Sequence, residues 1–191
     1  MDVIAAPVYD VEGCGVSEQD DEWLRMDQPY YSSVFIVRAS SDFAKLEDTA
    51  GKRLALNGYD SLSGFRCLVP LIGDPKHWFG ACRISGSHRA SARMVFDEVA
   101  DVAAIDAVCW ALLKKHEPNV VSALRVVGWS NRYPAPPFII GRARTNEMKN
   151  KLPSVLQKAV SNASETQAIK SLFLKDILPA NNSEYLSLSN L

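Results

Sequence analysis

The chain has 191 residues, with 21 Lys and Arg against 22 Asp and Glu, and a formal net charge of −1. Hydrophobic residues make up 47% and charged residues 23%, the balance of a globular protein whose length admits one domain or two small lobes. Near-neutral charge with no Lys/Arg cluster excludes the basic face that nucleic acid requires, and the longest apolar run, Val99 to Leu113, is too short to span a bilayer and is interrupted by Asp101 and Asp106.

In chain order, Ile4 to Val8 predicts a strand end. The start, from Met1 to Pro7, has neither the basic region nor the long apolar region of a secretory signal, and taken literally it implies a cytoplasmic protein. The acidic stretch from Glu12 to Gln28, with Asp20, Asp21 and Glu22 in a row, predicts a solvated loop. Ser33 to Arg38 is a continuous β-rich run of the kind a strand buried on both faces shows. Lys45 to Asp48 predicts a short helical turn closed by Gly51, and Arg53 to Asn57 the next strand. A helix follows with Phe65, Leu68, Val69 and Ile72 on one face, stopped by Gly73.

The pattern then repeats. Ala81 to Ser85 predicts a strand, followed by a helix from Gly86-Ser87 with Ala90, Met94, Val95 and Val99 as its apolar positions. Val102 to Ile105 predicts a strand, and Ala107 to His116 a helix apolar nearly all round and therefore buried, ended by Pro118. Leu124 to Val127 is the next strand, Tyr133 to Pro137 a stiff extended connector, and Phe138 to Ile140 a strand. Beyond that the chain reads as helical. Met148, Leu152, Val155, Leu156 and Ala159 fall at helical spacing, Pro153 predicts a kink or restart, and Ser164-Glu165-Thr166-Gln167 forms a capping box for a last helix with Ile169, Leu172 and Phe173. Strands alternating with helices predict an α/β fold with a mainly parallel sheet and helices on both faces.

Cys14, Cys67, Cys82 and Cys109 are scattered without a C-x-x-C pair, and three histidines add no metal-ligand spacing, so no metal or cofactor is expected. Cys67, Cys82 and Cys109 read as small buried apolar residues; Cys14, between two glycines, is the one able to pair or react. In parallel α/β sheets ligands bind at the carboxyl ends of strands, which directs attention to three loops. Asp60-Ser61-Leu62-Ser63-Gly64 offers hydroxyls and main-chain amides at a helix start, either as an anion cradle or as a plain cap. Ser85-Gly86-Ser87-His88-Arg89 places His88 in a first helical turn, as a donor to an anion or as a surface residue. Asp106 follows a run of apolar residues and reads as an N-cap or as an acceptor from a protonated ligand oxygen or amine. Ser63, His88 and Asp106 also contain the residue types of a hydrolase triad, although Ser61-Leu62-Ser63-Gly64 lacks the first glycine of a nucleophile elbow.

Tyr31 to Arg38, Asp60 to Gly64, Ser85 to Ser91, and Ala100 to Asp106 with Trp110 stand in an order and spacing that resemble the phosphate/phosphonate-type substrate-binding proteins of ABC transporters, of the type II periplasmic-binding-protein fold. The likeness runs from Ile4 to about Ile140. It implies two α/β lobes joined by a two-stranded hinge that close on an oxyanion without catalysis, a periplasmic location, and a separate permease and ATPase for uptake. Carried over, Tyr31 lines the cleft from the hinge side; Ser61, Leu62 and Ser63 hold the anion; His88 donates; Asp106 accepts. Ser32 stands where similar relatives carry Arg, and Cys14 lacks its upstream partner. The family's opening strand–helix units are missing, so the chain reads as an N-terminally truncated member. Residues 1–37 would be a remnant of lobe 1 with the first hinge strand, residues 38–126 a nearly complete lobe 2, and residues 127–191 the second hinge strand with the C-terminal helices of a partial lobe 1. The ligand expected is phosphate, phosphite or a phosphonate, and a homodimer would complete the partial lobe. A remnant or interaction module without transport, and a small serine hydrolase using Ser63 and His88, are the alternatives.

Overall fold

The structure, a computed structural model, describes residues 1–15, 28–162 and 166–190. Most of the acidic stretch, including Asp20, Asp21 and Glu22, and Ser164 and Glu165 of the expected capping box, lie outside the described residues. In chain order the elements are β1 (Asp2–Tyr9), β2 (Tyr30–Tyr31), β3 (Ser33–Arg38), β4 (Arg53–Leu56), α1 (Val69–Ile72), α2 (Pro75–Trp78), β5 (Ala81–Ile84), α3 (His88–Phe96) and β6 (Val102–Asp106). They continue as α4 (Ala107–His116), α5 (Pro118–Val121), β7 (Leu124–Trp129), β8 (Tyr133–Pro134), β9 (Phe138–Ile140), α6 (Asn146–Ser161), α7 (Thr166–Ser171) and β10 (Leu174–Pro179). No helix among the described residues is long and apolar enough to cross a membrane.

Two compact units result, one of Met1–Tyr31 with Arg132–Asn190 and one of Ser32–Asn131. The divisions thus fall before β3 and after β7, not at 37/38 and 126/127, because β3 and β7 pair with each other inside the second unit's sheet.

The second unit is built on a five-stranded sheet in the order β5-β4-β6-β3-β7. β4 pairs parallel with both β5 and β6, whereas β3 pairs antiparallel with β6 and β7. The sheet is therefore mixed, not mainly parallel. Successive β3 side chains alternate between faces. Val34 and Ile36 join Ala55, Val95, Ile105 and Trp110 in one core, while Phe35 and Val37 point to the opposite face and are equally buried. This double burial explains the unbroken apolar run of β3. Crossovers through α1 and α3 return the chain so that β4, β5 and β6 all end at one edge, and Ser33 opposite Asp106 places the start of β3 there as well.

α4 stops at His116 as expected, with Glu117 as its cap, and Pro118 then opens α5, where a missing N–H costs nothing. One local expectation changes. α4 is not buried all round: Ala107, Trp110 and Leu113 are buried, and Val108, Cys109, Ala111 and Leu112 only half so.

The first unit carries the three-stranded antiparallel sheet β10-β1-β9 and the two-residue pair β2-β8. Ile4, Ala5, Val160 and Ile177 form its small core, with Leu152, Leu156 and Ile169 packed against them. α6 runs from Asn146 to Ser161 through Pro153 without restarting. β10 corrects the expectation of helices to the end. Its Lys175 and Asp176 break the apolar run, and its partner β1 lies at the other end of the chain, beyond the reach of local pattern.

Candidate functional site

Parallel strands ending at one edge gather the loops after β4, β5 and β6. After β4 the chain turns at Gly58, whose carbonyl accepts from the Ser61 amide at 3.1 Å. The Ser61 carbonyl accepts from Phe65 and Arg66, and that of Leu62 from Cys67 at 2.8 Å, so these carbonyls point into the helical turn Arg66–Leu68 that leads to α1. Their amides face the other way, as at any helix start. Among the described residues, no backbone acceptor takes the amides of Leu62 and Ser63. The Ser61 hydroxyl accepts from the Gly64 amide at 3.1 Å, a capping role.

A Cβ at Gly64 would sit 1.6 Å from Asn57 Oδ1, so any side chain there would have to displace the Asn57 amide. The Asn57 amide lies against this glycine, with its oxygen buried and without a hydrogen-bond partner. Sequence reasoning passed over Asn57, because an Asn before Gly at a strand end signals only a turn.

After β5, Ser87 caps α3 by accepting from the Ala90 amide at 3.1 Å, and the Ser85 hydroxyl meets that of Ser91 at 2.7 Å. His88 is the first residue of α3, and its Nε2 lies 2.9 Å from Ser63 Oγ. Burial holds the His88 pKa below the usual histidine value of 6.5, partly opposed by the Asp106 charge and the Ala104 carbonyl. The imidazole is therefore neutral at neutral pH and can take or give one hydrogen bond at Nε2.

After β6, Asp106 caps α4, its Oδ1 accepting from the amides of Val108 at 2.9 Å and Cys109 at 3.0 Å. The structure thus gives Asp106 the capping role while keeping its charge close enough to act on His88. Ser63, His88 and Asp106 come together in the second unit, with Ser61 and Leu62 on the Ser63 loop. Tyr31 belongs to the first unit, where it is buried, pairs with Tyr133 and bridges to Cys14. Among the described residues, no three His, Cys, Asp or Glu side chains cluster as metal ligands.

Beside His88 the first turn of α3 and the length of α4 bound a cavity of about 580 Å³, with Asn57, Cys109, Leu112 and Leu113 among its walls. This cavity follows from the half-buried face of α4 and has no counterpart in the sequence pattern.

The family model described as "ABC transporter, phosphonate, periplasmic substrate-binding protein" matches residues 18–185. No curated protein matches the chain. Among solved structures, a binding protein component of an ABC phosphonate transporter from Pseudomonas aeruginosa superposes with a TM-score of 0.77 at 20% identity, over 98% of this chain and 60% of its own. A Prochlorococcus marinus protein in complex with methylphosphonate gives 0.70 at 19% identity, over 97% and 69%. An arginine-, lysine-, histidine-binding protein from Geobacillus stearothermophilus gives 0.57 at 16% identity, over 77% and 60%. The fold is that of the type II periplasmic binding proteins, and the chain spans about three fifths to two thirds of the length of these structures.

Proposed function

The chain belongs to the phosphonate periplasmic substrate-binding proteins of ABC transporters, a non-catalytic class, and from that premise we propose that its second unit binds a small oxyanion of the phosphonate, phosphate or phosphite type without altering it. The observation that carries this reading is the 2.9 Å contact between Ser63 Oγ and His88 Nε2, formed beside the unused amides of Leu62 and Ser63. Two loops separated by 25 residues place hydroxyl, imidazole and amides together, all able to donate to an oxyanion. Asp106, whose charge acts on His88, disfavours a fully ionised ligand and favours one still carrying a proton. Ser61 supports the loop through its bond to Gly64. Tyr31 enters through the family likeness alone. The permease and ATPase of an importer are the corresponding partners, and a second copy of the chain is a further one, for which the open Phe138 and Ile139 of edge strand β9 are the support.

Isothermal titration with methylphosphonate tests the reading. Ser63→Ala should weaken binding about 10- to 100-fold, the range for a hydrogen bond to a charged group. Unchanged affinity in that variant, or no binding by the parent chain, would refute it, and the latter result would favour a remnant or interaction module.

The same contact favours a second reading, hydrolysis, because it is the distance of a nucleophile and its base. Against it, Asp106 Oδ1 accepts from two α4 amides instead of orienting the imidazole. Turnover of 4-nitrophenyl acetate that disappears in Ser63→Ala would support the enzyme.

A further inference from the structure

The half-buried face of α4 has a consequence for what the site accepts. Ala107 to Leu113 contains no polar side chain, yet Cys109 and Leu112 remain half-buried and wall the 580 Å³ cavity. The cavity starts at Asn57 and His88, and so adjoins the imidazole that touches Ser63 on its Nε2 side. Between its two ends the wall is carbon and sulfur from Cys109, Leu112 and Leu113; Ser87 stands beside His88, and His116, Arg89 and Glu117 close the other end, with Glu117 ion-paired to both Arg89 and Arg93. The charged groups at that end are thus already satisfied by protein partners. A ligand anchored by its oxyanion at Ser63 and His88 would place its remaining substituent against Cys109, Leu112 and Leu113. Such a wall stabilises apolar groups through area removed from water.

We infer that the ligand of this chain is a phosphonate bearing an apolar substituent, alkyl or aryl, seated in the cavity between the start of α3 and α4 while the oxyanion is held at Ser63 and His88. The inference rests on the oxyanion reading above and goes beyond it by naming the organic part. Each methylene that enters the cavity should improve affinity about three- to fourfold.

Isothermal titration of the whole chain with methyl-, butyl- and phenylphosphonate tests this. Butylphosphonate should bind about 30- to 60-fold more tightly than methylphosphonate, from three added methylenes. Leu112→Trp, which fills the cavity from a half-buried position, should abolish that gain, so that butyl- and methylphosphonate bind the variant with affinities within about twofold of each other. Cys109→Phe, filling the same wall from the preceding turn, serves if the first variant fails to fold. Equal affinity for the three ligands, or a gain that survives in the filled variants, would overturn the inference and leave the oxyanion reading standing. No binding of any of the three would overturn both.

Discussion

Asp101 shows how one charge can hold a sheet in register. Its carboxylate accepts from the Arg53 backbone amide at 2.8 Å and from the guanidinium at 3.0 and 2.7 Å, while the Asp101 amide donates back to the Arg53 carbonyl. These bonds join the starts of β4 and β6, the parallel pair whose far ends carry the site. The Arg53 guanidinium holds the Asp101 carboxyl below its ordinary value of 3.8, with burial opposing. A lowered folded-state value means a contribution present above pH 3.8 and lost as pH falls through the lower folded value. Asp101→Asn should therefore lower the melting temperature at pH 7, and the difference from the parent chain should shrink steadily below pH 3.8 in melts followed by circular dichroism. A difference that stays constant into strong acid would rule out the ion pair as its cause. At this scale Ser61, Ser63, His88 and Asp106 could be picked out in the sequence, because each stands just after an apolar run where a helix begins. Asn57 could not, since its importance lies in the space it denies at Gly64.

Among the elements, β10 and α4 depart most from their local patterns. β10 carries Ile177 into the small core with Ile4, Ala5 and Val160, and its register sets Ile177 opposite Pro7 of β1. Because that core has so few members, truncation there leaves a void that neighbours fill poorly. Ile177→Ala should destabilise the chain by about 2–4 kcal/mol, measured by urea unfolding. A change below about 0.5 kcal/mol would mean that β10 contributes little to the sheet. α4 illustrates the opposite limit. Its seven apolar residues predict burial on every side, but the sheet and α3 cover one stripe only, and the rest becomes a cavity wall. Composition along a helix reports what could be buried, and the neighbours decide how much is.

For the molecule as a whole, thiol chemistry follows burial. Burial pushes Cys67 up to about 12, and burial together with the Asp106 charge does the same for Cys109. Both thiols stay protonated at pH 8 and should resist iodoacetamide in the native chain, whereas half-buried Cys14, on its Gly-Cys-Gly turn, should react first. Peptide mapping by mass spectrometry after timed alkylation reads the order, and Cys67 labelled as fast as Cys14 would contradict it.

By itself the sequence determined the type and order of the longer elements from β1 to β9, though not the short β2, α2, α5 and β8, and the three loops whose polar residues interrupt apolar runs, because both are written in side-chain periodicity over a few residues. Only the tertiary structure decided that β3 runs antiparallel to β6, that β10 joins β1 from the other end of the chain, and that Ser63 meets His88. Those outcomes depend on which distant segments share a hydrogen-bonded edge, and periodicity records which face a residue turns inward but not the neighbour that will meet it.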